Sequence, residues 1–163
     1  MTSEPENAHG IDTVVTWLRQ RPVDFDVVDH PETMSAAQEA SAAGVTPDHA
    51  AKTVVLRDGD EYRIAAIPAS HRLDLHKARE AFGASSHLRL ATEVEMESDF
   101  GQFEVGALPP LGAMVRAPEI VDRHLMGHER ILCTGGDHRH SLLIAPRELA
   151  RVAEARVTDI CED

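Results

Sequence analysis

The chain has 163 residues, of which 42% are hydrophobic and 27% charged, and its formal net charge is −12. This length suits a single domain with its own core, and no apolar run reaches the roughly 18 residues that a membrane-spanning helix requires. The acidic balance argues against general affinity for nucleic acids, because non-specific binding depends on cations that neutralise phosphates.

The N-terminus and the cysteines indicate an intracellular protein. The first residues are polar and acidic, whereas a secretory signal needs a basic start followed by an apolar stretch. We expect residues 1–10 to form a flexible tail and residues 11–163 to form one folded domain. Cys133 and Cys161 are too few for a disulfide framework and lack the spacing of a metal-binding pair, so a reducing cytoplasm is the expected location.

The first part of the chain predicts a helix, a strand and a second helix. Apolar residues recur at helical spacing over residues 11–18, and residues 25–29 alternate like a strand that ends before Pro31. Ser35 can cap the second helix, and Gly44 provides its left-handed exit.

A β-hairpin is the clearest element of the sequence. Residues 52–56 and 61–67 are rich in β-branched and apolar side chains, and they flank the turn dipeptide Asp58-Gly59. A helix capped by Asp74 follows. After a short strand over residues 88–90, Thr92 and Glu95 form the capping box of a further helix.

Residues 100–112 form a loop of unusual composition, with three glycines and two prolines. Such a loop is stiff and allows close approach of its backbone to other groups. A strand over residues 113–116 and a short helix over residues 118–125 are predicted next.

The C-terminal part predicts a hairpin whose strands, residues 129–133 and 141–144, flank a turn at Gly135-Gly136. A helix from Pro146 to residue 154 and a strand over residues 156–160 follow. The hairpins argue against an all-parallel, doubly wound sheet. We therefore predict an α+β fold with a single domain, in which helices surround a mixed, mostly antiparallel sheet or a partial barrel.

Lys52 and the loop around Gly106 are the first candidates for chemistry. A lysine at the start of an apolar strand either decorates a strand edge or is a fixed cation that points into a pocket. The segment Gly106-Ala107-Leu108-Pro109-Pro110 is either a tight turn or a rigid loop whose amides approach a ligand and stabilise a developing oxyanion. The residue pattern alone leaves both alternatives open.

Several motifs, in this order, resemble the YbaK/prolyl-tRNA synthetase editing-domain family. They are His30-Pro31, the strand that begins at Ala51-Lys52, Ala66-Ile67-Pro68-Ala69, the loop Gly106-Ala107-Leu108-Pro109-Pro110, and Gly135-Gly136-Asp137. The resemblance covers residues 11–160, and the lysine strand followed by a G-x-x-x-P loop is its most specific part. It favours the interpretation of Lys52 as a fixed cation.

The resemblance implies a free-standing aminoacyl-tRNA deacylase, which hydrolyses the ester between a wrong amino acid and the terminal ribose of a tRNA. Lys52 would hold the terminal phosphate or the carbonyl group, and Gly106 and its neighbours would offer backbone amides, so we predict Lys52 and Gly106 as catalytic residues. The predicted substrate-binding residues are His30, Met34, Ala107, Leu108, Pro109, Pro110 and Gly135. Met34 and Leu108 are predicted as pocket walls, with core packing as the alternative for Met34.

The implied substrate is a tRNA 3′ end that carries a small amino acid, with tRNA-Pro as the expected tRNA. A synthetase pocket discriminates a missing methylene by only about 1 to 3 kcal/mol, so small side chains need a second, size-selective step. An aminoacyl-tRNA synthetase is a further candidate partner, whereas membranes and DNA are not. The resemblance implies no cofactor, no metal ion and no covalent nucleophile. A local basic site suffices to bind an RNA end, and the acidic remainder repels RNA elsewhere.

Ten histidines raise the alternative of a metal site. His124 and His128 are four residues apart, and Cys133, His138 and His140 follow, but a zinc site needs three or four such ligands to converge. Gly127 interrupts the helical register of the first pair, so we expect no metal ion.

Other hydrolytic chemistries have weaker support. Ser70-His71 and Asp74 could suggest a triad, but adjacent residues do not ordinarily reach nucleophile–base geometry. Cys133 is expected to be a buried apolar side chain, and Cys161 lies near the end of the chain. The remaining alternative to a deacylase is a catalytically silent module of the same fold that binds tRNA, a synthetase or another protein.

Overall fold

A computed structural model describes residues 10–163, which form six α-helices and eight β-strands. The helices are α1 (Gly10–Arg19), α2 (Ala36–Ala43), α3 (Leu75–Phe82), α4 (Glu93–Asp99), α5 (Gly112–Val115) and α6 (Pro146–Ala153). The strands are β1 (Phe25–Asp29), β2 (Ala51–Asp58), β3 (Glu61–Pro68), β4 (Arg89–Leu90), β5 (Glu119–Asp122), β6 (Ile131–Asp137), β7 (His140–Ile144) and β8 (Arg156–Thr158). Of the predicted tail, only Gly10 is described, as the first residue of α1; the rest lies outside the described residues. Within residues 10–163, the structure contains no helix that is long and apolar enough to cross a membrane.

The strands form two sheets, and neither closes into a barrel. The first is antiparallel, with the order β1-β7-β6. The second has the order β4-β2-β3-β5-β8, in which β2 pairs antiparallel with β3 and β4 while β5 runs parallel to β3 and β8. Mixed sheets with helices around them confirm the predicted α+β class.

Alternate side chains of β3 face opposite sides of the larger sheet, so the core has two layers. Ile64 and Ala66 face the first sheet and pack with apolar residues of α1 and α6. Ala65 and Ile67 point to the opposite face of the larger sheet, where Ala78 of α3 covers them. Both faces of β3 are therefore buried, which fixes the position of its partner β2 and of Lys52 near the start of β2.

The predicted caps are present. Ser35 Oγ accepts a hydrogen bond from Gln38 N at 3.1 Å, and Asp74 Oδ1 accepts one from Lys77 N at 3.0 Å. Thr92 and Glu95 form the complete capping box at the start of α4. These short-range signals are reliable because both partners lie within one helical turn.

Three sequence-based predictions are wrong. Residues 113–115 belong to α5 instead of a strand and Arg116 is the C-cap of that helix, which is too short to give a readable periodicity. Residues 118–125, predicted as a helix, form β5 and the start of a 3-10 turn, Arg123–Gly127. Because β5 is buried between two parallel neighbours, it lacks the alternation of a half-exposed strand. Gly135-Gly136 lie in an irregular part of β6, and the turn falls at residues 138–139 instead.

Candidate active site

Two cavities meet where β2 passes the loop of residues 104–108. The larger has a volume of about 480 Å³ and mainly apolar walls, which include Val55, Leu73, Leu90, Met96 and Leu108. The smaller has a volume of about 50 Å³ and mainly polar walls, which include Thr33, Glu39, Thr134, Asp137 and His138. Lys52, Thr53 and Gly106 line both cavities and so mark the boundary between them.

Lys52 presents a cation at this boundary. Its Nζ donates one hydrogen bond, to His71 O at 3.2 Å, and it forms no ion pair with any residue of the described range. The chain's other lysine, Lys77, donates to Asp159, to Asp163 and to the carbonyl of Cys161. The ammonium group of Lys52 therefore remains available to an anionic or carbonyl ligand.

Gly106 adopts a backbone conformation that favours glycine, with φ at +86°. Its amide has no acceptor among residues 10–163, whereas the Ala107 amide donates to Glu104 O at 2.9 Å. A Cβ atom at Gly106 would lie 3.5 Å from Cε1 of His138, so the loop backbone approaches that ring closely. The Gly106 N–H is thus a candidate donor to a bound oxygen atom.

Hydrogen bonds from the β6–β7 hairpin hold this loop in place. Glu104 N donates to Gly136 O at 3.0 Å, and Glu104 Oε1 accepts from His138 N at 2.7 Å. His138 Nε2 lies 2.8 Å from Val105 O. A carbonyl oxygen can only accept, so Nε2 carries the hydrogen, and in the neutral ring Nδ1 is left as an acceptor.

Asp137 supports the same corner of the small cavity. Burial opposes its ionisation, but hydrogen bonds from His140, Arg139 N and Ile11 N outweigh burial and lower the pKa of this carboxyl. Its oxygens lie 2.7 Å from His140 Nδ1, 3.0 Å from Arg139 N and 3.2 Å from Ile11 N. Asp137 therefore ties α1 and the hairpin turn to the site.

A buried polar chain runs from the small cavity to His30. Ser141 Oγ donates to Glu39 Oε2 and lies 2.8 Å from His30 Nε2, while His30 Nδ1 lies 2.8 Å from Pro31 O. Burial raises the pKa of Glu39, and the hydrogen bond from Ser141 and the charges of His30 and His138 only partly offset it. A carboxyl group that gains a proton readily thus lines the small cavity.

Thr53 offers a polar atom that the protein itself does not use. Its Oγ1 is buried, lies at the boundary of the two cavities and has no hydrogen-bond partner within the described part of the chain. Buried hydroxyl groups normally have a partner, so an unpaired one beside a cavity indicates a place for a ligand or a water molecule.

The structure brings together only some of the predicted site residues. Lys52, Gly106 and Leu108 meet at the cavities. Ala107, Pro109 and Pro110 are buried in the interior, and Gly135 packs against Ile11 of α1. His30 is buried and contacts the small cavity only through Ser141 and Glu39. Met34 is 68% exposed and lines neither cavity.

The unpredicted residues that line the smaller cavity include Thr53, Glu39, Asp137 and His138. Asp137 and His138 directly follow Gly135-Gly136, so that motif was a usable signal. Glu39 lies one residue beyond Gln38 in a helix identified from its cap, and no local feature marks it. Its role depends on contact with Ser141, which is 102 positions away.

The serine- and cysteine-based alternatives are not assembled within the described residues. Ser70 Oγ does contact His71 Nδ1, at 3.0 Å, although adjacent residues were not expected to do so; an exposed loop allows it. The His71 ring stacks on His124, and Asp74 caps α3. Both cysteines are buried, and burial raises the pKa of the Cys161 thiol to about 12.

Comparison with known proteins assigns the chain to a family. The chain belongs to the aminoacyl-tRNA editing domain family, whose model matches residues 30–152. It is similar to the crystal structure of a candidate trans-editing enzyme for prolyl-tRNA synthetase, with a TM-score of 0.85 and 28% identity over 96% of this chain and 99% of that chain. It is also similar to the crystal structure of a hypothetical protein, with a TM-score of 0.83 and 27% identity over 92% of this chain and 99% of that chain.

The same fold occurs within a longer protein. A candidate signal transduction protein from Marinobacter aquaeolei VT8 matches 92% of this chain with 30% of its own length, at a TM-score of 0.66 and 20% identity. This likeness concerns the fold alone. The editing-domain architecture can therefore form one part of a larger chain.

Proposed function

We propose that the protein is a deacylase that hydrolyses, in trans, the ester bond of mischarged aminoacyl-tRNA. The observation that carries the proposal is the pair of cavities of unequal size and polarity, joined at Lys52, Thr53 and Gly106. Membership of the editing-domain family and the likeness to a candidate trans-editing enzyme support it. We place the activity in the cytoplasm, with an aminoacyl-tRNA synthetase as a further partner.

The larger cavity suits the terminal adenosine of the tRNA. Its volume of about 480 Å³ lies within the usual range of small-molecule sites, and its apolar walls can cover a base and a ribose. Arg72 lines it and forms no ion pair within residues 10–163, so its guanidinium group can bind a phosphate, while Lys52 lies at the boundary with the smaller cavity. This local basic character reconciles RNA binding with a net charge of −12.

The smaller cavity suits the aminoacyl group. At about 50 Å³ it has room for roughly two groups of the size of a water molecule, which suits the methyl side chain and the ammonium group of alanine when the ester carbonyl lies at the boundary of the cavities. Glu39 and Thr53 Oγ1 offer acceptors for the α-ammonium group. Size would then exclude the larger, correctly matched residue.

The reaction needs a water molecule and stabilisation of the negative charge on the carbonyl oxygen. Water attacks the ester carbon, the oxygen gains charge, and collapse releases the free amino acid and the ribose hydroxyl. The Lys52 ammonium and the Gly106 N–H are the donors for that oxygen, and His138 Nδ1 is the acceptor that can orient the water.

A hydrolysis panel tests this proposal. We expect turnover of tRNA-Pro charged with alanine, and slower or no turnover of the same tRNA charged with proline or with a bulkier residue. N-acetylated alanyl-tRNA, which lacks the ammonium group, should also react more slowly. A protein that binds tRNA but cleaves none of these esters would refute the deacylase and favour the silent binding module.

A further inference from the structure

Three side chains of metal-binding type converge at a surface away from the walls of the two cavities. Asp48 and His49 belong to the 3-10 turn Pro47–His49 before β2, and His128 follows the turn Arg123–Gly127. One ligand atom from each residue lies within 4.8 Å of those of the other two. Asp48 Oδ2 is 3.7 Å from His49 Nδ1 and 3.9 Å from His128 Nε2.

These spacings approach those of a coordination sphere. Zinc binds nitrogen and oxygen at about 2.0 to 2.2 Å in a tetrahedron, so its ligand atoms lie about 3.3 Å apart. The distances at Asp48 exceed that value by about half an ångström. The Asp48 and His49 side chains are 52% and 46% exposed, so small rotations of their side chains can close the gap without disturbing the core.

A neighbouring hydroxyl group orients Asp48. Thr46 Oγ1 donates to Asp48 Oδ1 at 2.6 Å, and a second partner of this kind directs a metal-binding carboxylate. His49 Nδ1 lies 2.9 Å from Thr46 Oγ1 in the metal-free chain, and it would exchange this hydrogen bond for the metal ion and release its proton on binding. The rings of His49 and His128 are in contact, with centroids 3.9 Å apart.

A second cluster, Asp122, His124 and Cys161, has a similar composition but different chemistry. Asp122 Oδ1 accepts from Ile160 N at 2.9 Å, and Oδ2 accepts from His124 N at 2.9 Å and lies 2.7 Å from the His124 ring nitrogen. Burial raises the pKa of the Cys161 thiol to about 12, which opposes formation of the thiolate that binds metal ions. This cluster is held together by its own hydrogen bonds.

We propose that Asp48, His49 and His128 bind one divalent transition-metal ion of the zinc class, with water completing the coordination. Two imidazoles and one carboxylate prefer Zn²⁺, Co²⁺, Ni²⁺ or Cu²⁺ to Mg²⁺ or Ca²⁺. The ion would connect the segment that leads into β2 with the connection between β5 and β6. It would therefore stabilise the turn Pro47–His49, which precedes the strand that carries Lys52, and it would take no part in the proposed hydrolysis.

Titration of the chelator-stripped protein with Zn²⁺ tests this site. We expect one ion per chain by calorimetry and a rise in the thermal unfolding midpoint. His49→Ala and His128→Ala should each weaken binding at least about tenfold, since loss of a ligand exceeds the effect of losing a second-shell partner. His124→Ala, which removes a histidine from the other cluster, should bind like the unmodified chain. Absence of stoichiometric binding, or full binding by a folded His128→Ala variant, would overturn the proposal.

Cobalt gives an independent readout of the ligand atoms. Co²⁺ bound by nitrogen and oxygen shows d–d bands without the charge-transfer absorption of a thiolate ligand. We expect that spectrum for the unmodified chain and its loss in His128→Ala. A thiolate band would assign the ion to Cys161 and refute the site at Asp48. Circular dichroism of each variant controls for folding.

Discussion

The two lysines of the chain have different hydrogen-bond partners, which indicate different roles for their ammonium groups. Lys77 is tied to two carboxylates and a carbonyl at the C-terminal segment. Lys52 has a single backbone acceptor and lies at the boundary of the two cavities. We infer that Lys77 serves stability and that Lys52 serves the substrate.

Replacement of each lysine by methionine separates these roles. Lys52→Met should lower kcat by about 100-fold or more, because it removes a donor to the developing oxyanion, and it should leave the thermal midpoint nearly unchanged. Lys77→Met makes the same change in charge, and it should lower the midpoint while activity persists. Steady-state kinetics and thermal unfolding of both variants check this. A folded Lys52→Met variant with full activity would exclude the assigned role.

At the scale of single residues, the predicted site and the lining of the cavities overlap in part. Lys52, Gly106 and Leu108, which the sequence predicted for one site, line the same cavity. Met34 was predicted as a pocket wall on the segment after His30-Pro31, but its side chain is 68% exposed. Thr53 was overlooked because a β-branched residue inside a strand is normally explained by strand propensity.

At the scale of secondary-structure elements, helix α1 and strand β6 approach each other closely, and this contact needs glycine on both sides. A Cβ atom at Gly10 would lie 2.0 Å from Gly136 O, and one at Gly136 would lie 2.8 Å from the Gly10 backbone. Gly136 also has φ at +101°. Because Gly136 O accepts from Glu104 N, this contact also anchors the loop that carries Gly106.

Gly136→Ala should therefore destabilise the fold by about 2 to 4 kcal/mol, from backbone strain combined with overpacking. Gly44→Ala is the matched control, since Gly44 also has positive φ but nothing lies within 4 Å of its Cβ position. The Gly44→Ala variant should lose only about 1 kcal/mol of its free energy of unfolding. Urea unfolding measures both changes. Equal losses in the two variants would show that the close approach to α1 contributes nothing.

Sequence predicted elements well where the signal was local. The hairpin about Asp58-Gly59 and the caps at Ser35, Asp74 and Thr92 needed only neighbouring residues. Prediction failed at β5, whose strand identity comes from pairing with β3 and β8, more than 30 positions away on either side. It also failed at Gly135-Gly136, where the glycines serve tight packing against α1 instead of a turn.

For the molecule as a whole, Glu119 makes the free energy of unfolding depend on pH. This carboxyl is 2% exposed, and Oε1 accepts from Gly112 N at 2.7 Å while Oε2 has no partner within the described chain. Burial raises the pKa of Glu119 well above its usual range. The folded state therefore retains a proton that the unfolded chain releases above about pH 4.3. Its stability contribution is complete below that pH and declines as pH rises toward the folded-state pKa.

Glu119→Gln should raise the thermal midpoint relative to the unmodified chain more at about pH 8 than at about pH 5, because glutamine has no proton to release. Glu95→Gln is the control. Hydrogen bonds from Arg89 and Thr92 N lower the pKa of Glu95 to about 2, so this carboxylate is ionised at both pH values. Replacement of Glu95 by glutamine should therefore lower the thermal midpoint by the same amount at both pH values. A pH-independent effect of Glu119→Gln would contradict the buried-carboxyl account.

One wall of the larger cavity is held by residues near the C-terminus. Asp74 N donates to Ile160 O at 2.8 Å, Glu162 N donates to Arg72 O at 2.9 Å, and Leu73 forms an isolated bridge with Cys161. Residues 52–108 are synthesised before residues 160–162. A nascent chain can therefore form the hairpin that carries Lys52 before the residues that fix the opposite wall exist, so the cleft is completed after both of its other sides.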